Sequence, residues 1–264
     1  MTEGSIFVGI GGWDYEPWRG TFYPPGLAKT KQLEYAAGRL TATEINATYY
    51  KLQSPDLFAR WAKVVPDGFR FAVKASRFCT NRKVLAEGAE AIARFCGQGL
   101  TELGDKLGPI LWQFMGTKQF DPEDFGAFLK LLPKSWDGVP LRHAVEPRHE
   151  SFRTPEFVAM ARAAGVAIVF ADADDYPCIA DLSGDFSYAR LQRCREEEAT
   201  GYDAAALDRW AAIANSWSRG ESPVELPYVA DTGAKAQSRD TYIFFISGAK
   251  VRAPAAATSL IERL

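Results

Sequence analysis

Histidine is scarce in this chain: His143 and His149 are the two among 264 residues. The four cysteines, Cys79, Cys96, Cys178 and Cys194, are widely separated and form no Cys-x-x-Cys pair. A zinc site built from these residues is therefore not expected, and the thiols read as free. No run approaches the ~18 apolar residues needed to cross a bilayer. The opening Met1-Thr2-Glu3-Gly4-Ser5 has no basic region followed by an apolar run, so no secretory leader is expected. Charge of one sign is lacking too. The 31 Lys and Arg against 33 Asp and Glu give a net charge of −2, which excludes a global basic field for nucleic acid or anionic membrane. No Gly-x-Gly-x-x-Gly or Gly-x-x-x-x-Gly-Lys-Ser/Thr phosphate loop follows the first apolar run, and no motif names a cofactor. Internal repeats and low-complexity linkers are absent as well. These absences lead to the expectation of a soluble cytoplasmic globular protein without a membrane partner.

What is present is a chain long and apolar enough, at 47% hydrophobic residues, to bury a large core. Eight short β-rich runs recur along it: 6–10, 42–46, 69–74, 110–114, 143–146, 166–171, 186–191 and 242–246. Most are followed by a helical pattern, several opened by Ser-Pro, Asp-Pro or Thr-Pro and one closed by Gly165. Strands alternating with helices predict a parallel α/β fold. Chain length and the missing phosphate loop favour a closed TIM-like (β/α)8 barrel, one domain over 1–264, above an open doubly wound sheet. Two connections are irregular: a short one after Asp172, predicting a missing or short helix after strand 6, and a long one over 221–241 with no period.

In such a barrel, chemistry gathers at the C-terminal strand ends and the loops beyond them. Period-two alternation predicts that Glu44, Asn46, Lys74, Gln113, Glu146, Asp172 and Arg190 point inward there. Arg148, His149 and Tyr49 follow on the loops. Three acids and three bases in one ring are costly to desolvate for stability alone, because buried ion pairs often do no better than apolar packing. A self-neutralising structural plug is the competing account.

Several blocks in this order resemble the YecE-like family, domain of unknown function 72. They are Gly-Gly-Trp-Asp-Tyr with Trp-Arg-Gly-Thr-Phe-Tyr-Pro (11–24), Thr-Glu-Ile-Asn-Ala-Thr-Tyr-Tyr (43–50), Phe-Arg-Phe-Ala-Val-Lys-Ala (69–75), Leu-Gly-Pro-Ile-Leu-Trp-Gln-Phe (107–114), Val-Glu-Pro-Arg-His-Glu-Ser-Phe (145–152), Ala-Asp (171–172) and Tyr-Ala-Arg-Leu (188–191). The resemblance implies a TIM-like barrel and leaves function open, although the family is sometimes described as related to sugar isomerases. The chain departs from the family pattern in three places. Thr80-Asn81 replaces a Thr-His pair, Gln192-Arg193 replaces a His-Gly, and Ile246-Ser247-Gly248 replaces an Asn-rich strand end.

The favoured function is an enzyme acting on a small polar or anionic substrate, sugar-like or phosphorylated, with acid/base chemistry of an isomerase or lyase. Glu44, Lys74, Glu146 and His149 are the candidate catalytic residues, with a glutamate as base and His149 as proton carrier. Trp13, Tyr15, Asn46, Tyr49, Gln113, Arg148, Asp172 and Arg190 are the candidate substrate-binding residues; the arginines suit anionic oxygens. Glu146→Gln is expected to abolish turnover and leave the fold intact. The alternatives are three. One is a metal-dependent hydrolase using Glu44, Glu146, Asp172 and His149. Another is a nucleic-acid-processing barrel using Arg77, Arg82, Lys83, Arg190, Arg193 and Arg195 on phosphates. The last is a non-catalytic binding barrel. The sequence carries no signature of oligomeric state, substrate or metal.

Overall fold

The computed structural model describes residues 3–230 and 233–264. The expectation on the opening residues falls partly on Met1 and Thr2, and the 221–241 connection includes Asp231 and Thr232; both pairs lie outside the described residues.

Eight parallel strands close into a barrel in chain order. They are β1 (Ile6–Gly11), β2 (Ala42–Ile45), β3 (Arg70–Lys74), β4 (Leu107–Gln113), β5 (His143–Glu146), β6 (Ala167–Asp172), β7 (Phe186–Leu191) and β8 (Asp240–Phe245). Outside them lie α1 (Gln32–Ala37), α2 (Pro55–Val64), α3 (Ala89–Cys96), α4 (Pro122–Leu131), α5 (Pro155–Ala164), α6 (Ala204–Ser218) and α7 (Ala253–Ile261). The helix starts follow the local chemistry. Asp121, Thr154 and Asp203 each accept a hydrogen bond from a first-turn amide, and Gly165 ends α5 at φ +66°, where a Cβ would be strained. No helix separates β6 from β7, as the short connection predicts. The 84–106 region is broken at Gly97 and Gly99, also as expected, into α3 and flanking 3-10 turns.

Alternation along the strands builds two cores. Phe71, Val73, Ile110, Trp112, Val145, Phe170 and Phe245 face the helices. The lumen holds Phe7, Phe186, Tyr188, Tyr242 and Phe244 from β1, β7 and β8 together with Ala42, Ala72, Ala144 and Ala167 from β2, β3, β5 and β6. Large rings combined with alanines fill the lumen at close packing without widening the barrel. Gly9 serves the same fit, because a Cβ there would lie 2.0 Å from the Ala42 carbonyl oxygen of β2.

The described part of the 221–241 connection has no helix or strand before β8. It is tied to the 173–185 connection: the Val229 and Ala230 amides donate to Asp181, and Arg239 Nε donates to the Gly184 carbonyl just ahead of β7. None of the described helices is long and apolar enough to cross a membrane.

Candidate functional site

At the C-terminal mouth, Arg190 lies between two carboxylates. Its Nε and Nη2 donate to Glu44 Oε2 and Oε1 at 3.1 and 3.0 Å, and its Nη1 donates to Glu146 Oε2 and Oε1 at 2.7 and 2.9 Å. Tyr188 OH donates to Glu44 Oε2 at 2.7 Å, and Gln113 Nε2 donates to Glu146 Oε2 at 2.7 Å. Strand register explains the convergence. Gln113 sits level with Glu146, and Arg190 is level with Ala171 of β6, whose alanine leaves the guanidinium room. Both glutamates are 0% exposed and Arg190 is 2% exposed, so the three groups form a fully desolvated unit of net charge −1. A planar guanidinium offers two carboxylates paired N–H donors in a fixed fork, whereas a lysine ammonium is a point charge without that geometry.

The unit's protonation is held by its own contacts. Burial pushes the Glu146 carboxyl up, but Arg190, then Arg148, Gln113 and Lys74 outweigh burial and bring it down to about 2. Burial would lower Arg190, and Glu146 and Glu44 reverse that and raise it. Tyr188 is pushed well above its ordinary value by burial and then by Glu44, so it stays a hydrogen-bond donor.

Three cations surround this unit. Lys74 Nζ lies 4.2 Å from the centroid of the Tyr49 ring and has no hydrogen bond or ion pair among the described residues. Burial, then Arg190, lowers Lys74 to about 8 against the opposing pull of Glu44 and Glu146. Arg148 Nη2 reaches Glu146 Oε1 at 3.4 Å and its Nη1 donates to Tyr176 OH at 3.2 Å, while its buried Nε has no partner. Lys250 lies over the rings of Tyr15 and Trp18 at 4.7 and 5.4 Å; burial lowers its pKa and Glu44 opposes the drop. Gln192 continues the inward phase of Arg190; its Oε1 accepts from Ser247 and its buried Nε2 has no partner. Asn46 Nδ2 donates to the Glu44 carbonyl at 3.3 Å beside Gly11, where a Cβ would lie 3.1 Å from that same nitrogen. Tyr49 OH accepts from Asn81 Nδ2 at 3.0 Å.

Four residues named as site candidates from sequence do not touch the Glu44–Arg190–Glu146 unit. Asp172 pairs in register with Leu191, which belongs to the outer core, so it points away from the lumen. There it pairs with Arg193 at 3.1 Å and accepts from Tyr202 OH at 3.3 Å. The alternation along β6 has the opposite phase to the one assumed, because a fully apolar strand offers no polarity contrast to set it. His149 caps the 3-10 turn Glu150–Phe152: its Nδ1 accepts from the Ser151 amide at 3.1 Å and lies 2.8 Å from Ser151 Oγ. It has no contact with the Glu44–Arg190–Glu146 unit. Trp13 packs edge-on against Trp61 and Phe71 on the outside of the barrel wall. Tyr15 meets Trp18 edge-on and lies under Lys250.

Tyr176, Lys250 and Gln192 were not selected from sequence as site residues. Gln192 was noted only as a departure from a family pattern, and Lys250 and Tyr176 lie in connections with no periodicity to orient them. Among the described residues no group of three or more His, Cys, Asp and Glu could hold a metal ion. The four donors proposed for one do not converge, since Arg190 separates Glu44 from Glu146. A cleft of about 1030 Å³ lies at the opposite end of the barrel beside Arg142, Asp185 and Arg239. Arg142 is paired there with Asp185 and Asp240, and Arg239 donates to three main-chain carbonyls. Size alone therefore does not locate the site.

Comparison with known proteins adds four findings. A family model described as protein of unknown function DUF72 matches residues 7–264. The UPF0759 protein YunF of Bacillus subtilis (strain 168) is 27% identical over 158 residues, which is 58% of this chain and 54% of that protein, so the match spans about half the length of this curated relative. A DUF72 family protein from Thermotoga maritima MSB8 superposes with a TM-score of 0.73 at 23% identity, over 98% of both chains. One from Enterococcus faecalis V583 superposes with a TM-score of 0.67 at 16% identity, over 99% of this chain and 98% of that one.

Proposed function

The chain belongs to the DUF72 family, whose function is unknown, and from the chemistry of its barrel mouth we propose that it is an enzyme of acid/base chemistry on a small dianionic carbonyl compound, such as a sugar phosphate. The observation that carries this proposal is the imbalance of charge. A buried unit of net −1 is surrounded by Lys74, Arg148 and Lys250, of which only Arg148 reaches a carboxylate of the unit. Two further donors, Arg148 Nε and Gln192 Nε2, are buried at the same end without partners. Unpaired buried donors and a net charge of +2 with Lys74 protonated, or +1 with Lys74 neutral, suit the oxygens of a phosphate or a sugar acid.

Within this proposal Lys74 carries the proton. A group whose pKa lies near the working pH combines a useful fraction of the base with a useful driving force, and Lys74 at about 8 meets that condition. Glu146 at about 2 is a weak base, so its role is to hold Arg190 together with Glu44. Neutral Lys74 Nζ takes the proton from the carbon beside the substrate carbonyl. The electron pair moves onto the carbonyl oxygen, which the neighbouring cations stabilise as an enolate. For an isomer, the hydroxyl on the deprotonated carbon passes its proton to the enolate oxygen and becomes the new carbonyl, while Lys74 returns its proton to the former carbonyl carbon. For a lyase product, the enolate re-forms its carbonyl and expels a leaving group from the carbon on the other side of the deprotonated one.

The test is hydrogen–deuterium exchange of triose, pentose and hexose phosphates in D₂O followed by NMR, with binding measured by thermal shift. Wild type is expected to exchange a carbon-bound proton at a rate that rises with pH to an inflection near 8. Lys74→Met is expected to keep binding and lose exchange. Exchange that survives in Lys74→Met removes Lys74 from the mechanism. Binding without exchange in wild type favours the non-catalytic binding barrel, and no binding at all removes the proposal.

A further inference from the structure

Among the described residues, two aromatic side chains are largely exposed, Tyr50 at 66% and Phe78 at 64%, and both line one cleft of about 240 Å³. Leu52 and Ala91 give it an apolar floor, and Lys51 and Arg94 stand on its rim. Neither cation has an ion pair among the described residues, nor does Arg77, whose guanidinium lies 5.4 Å from the Phe78 ring centroid. No carboxylate lines the cleft. Exposing two rings in one place costs solvation free energy that a polar surface avoids, and such patches mark sites that another molecule covers. The unpaired cations favour a ligand that carries an anionic group, and the two rings one that carries a flat apolar group.

A pair of tyrosine rings stands between the cleft and Lys74 of the barrel mouth. The rings of Tyr49 and Tyr50 meet edge-to-face at 5.0 Å, and Lys74 Nζ lies 4.2 Å above the other ring of that pair, Tyr49. Ser76 of the cleft follows Lys74 by two residues. A molecule that reaches both places carries a planar group and an anionic group about one ring apart, as the base and phosphate of a nucleotide are separated by its ribose. We propose that the Tyr50–Phe78 cleft is a stacking subsite for a nucleobase, so that a nucleotide unit binds with its phosphate at the mouth, as a ligand that occupies the dianion site and not as the carbonyl substrate that reacts there. This deepens the dianion reading of the mouth and rests on it. The unit comes from a free nucleotide or from the end of a single strand, and the binding chemistry is the same in both.

The experiment is titration calorimetry of wild type, Tyr50→Ser and Phe78→Ala. The probes are the four ribonucleoside 5′-monophosphates, ribose 5-phosphate, and an eight-nucleotide single strand with and without a terminal phosphate. Both side chains are exposed, so both variants are expected to keep the wild-type melting temperature, and Phe78→Tyr is a second variant that keeps a ring. One base stacked on an aromatic side chain strengthens binding about 5- to 150-fold. Monophosphates are therefore expected to bind at least about 5-fold more tightly than ribose 5-phosphate. That ratio collapses toward one in Tyr50→Ser and Phe78→Ala and persists in Phe78→Tyr, while ribose 5-phosphate binding stays unchanged throughout. Tighter binding of the phosphorylated strand than of any monophosphate, with the same loss in both variants, identifies the strand as the source. Equal binding of ribose 5-phosphate and monophosphates in wild type, or a ratio untouched by either substitution, overturns the subsite and leaves the mouth reading in place. Absence of binding by every phosphorylated probe overturns both.

Discussion

Glu146→Gln tests the buried unit directly, because Glu146 accepts hydrogen bonds from Arg190, Gln113 and Arg148 at full burial. A glutamine there has one acceptor oxygen for these donors, and its amide group turns two hydrogens toward Gln113 Nε2 or Arg190 Nη1. Each pH unit by which a pKa falls on folding corresponds to about 1.4 kcal/mol. The fall of Glu146 from 4.5 to about 2 therefore corresponds to about 3 kcal/mol. This agrees with the ~3–5 kcal/mol for breaking one side of a buried ion pair. A loss of about 3 kcal/mol lowers the melting temperature of a chain this size by roughly 6–12 °C. The variant is therefore expected to keep the fold at a lowered melting temperature. The depressed pKa also sets the sign of the pH dependence. Its contribution is fully present above 4.5 and is lost as pH falls toward 2. Urea unfolding of both proteins at pH 7, 5, 4 and 3.5 measures the gap between them. It is expected to be constant from pH 7 to 5 and to shrink by about 1.4 kcal/mol by pH 3.5. A gap that stays constant down to pH 3.5, or a variant as stable as wild type, refutes the ionised, saturated state of Glu146.

Two further substitutions probe the residues that stand outside the ring. Asp172→Asn is expected to leave sugar-phosphate binding within about 2-fold, because the carboxylate faces Arg193 and Tyr202 behind the barrel wall; a loss above 10-fold in calorimetry would return it to the mouth. His149→Ala is expected to cost about 1 kcal/mol in urea unfolding through the lost cap at Ser151, with His149→Asn recovering most of it. An Asn variant no more stable than the Ala variant would show that the cap contributes nothing.

Much of this fold was legible before any coordinates. Eight β-rich runs, the Pro-opened helices, Gly165 and the short connection after Asp172 are local signals, set by backbone conformational preference and by burial periodicity. They agree with the barrel because each element's local preference matches its tertiary place. The polar strand ends Glu44, Lys74, Gln113, Glu146 and Arg190 were equally legible. A charge beside a polar-apolar alternation betrays its own phase, and Tyr188 and Arg190 share a face because they are two residues apart. Asp172 was misplaced for the complementary reason: on an apolar strand either phase fits, and only its neighbour Leu191 decides which side it takes. His149 looked catalytic by type, yet its use as a cap depends on Ser151 and the turn it closes.

The sequence by itself determined which side chains could carry chemistry and at which end of the barrel they gather, because strand alternation and chain direction are properties of the chain. The closed barrel alone decided who meets whom. Arg190 reaches Glu44 across 146 positions and Glu146 across 44, contacts that only barrel closure and register can make. The same closure turned Glu146 from a candidate base into a fixed counter-ion and left Lys74 unpaired with a lowered pKa. Protonation depends on distance and burial in three dimensions, and neither is written along one.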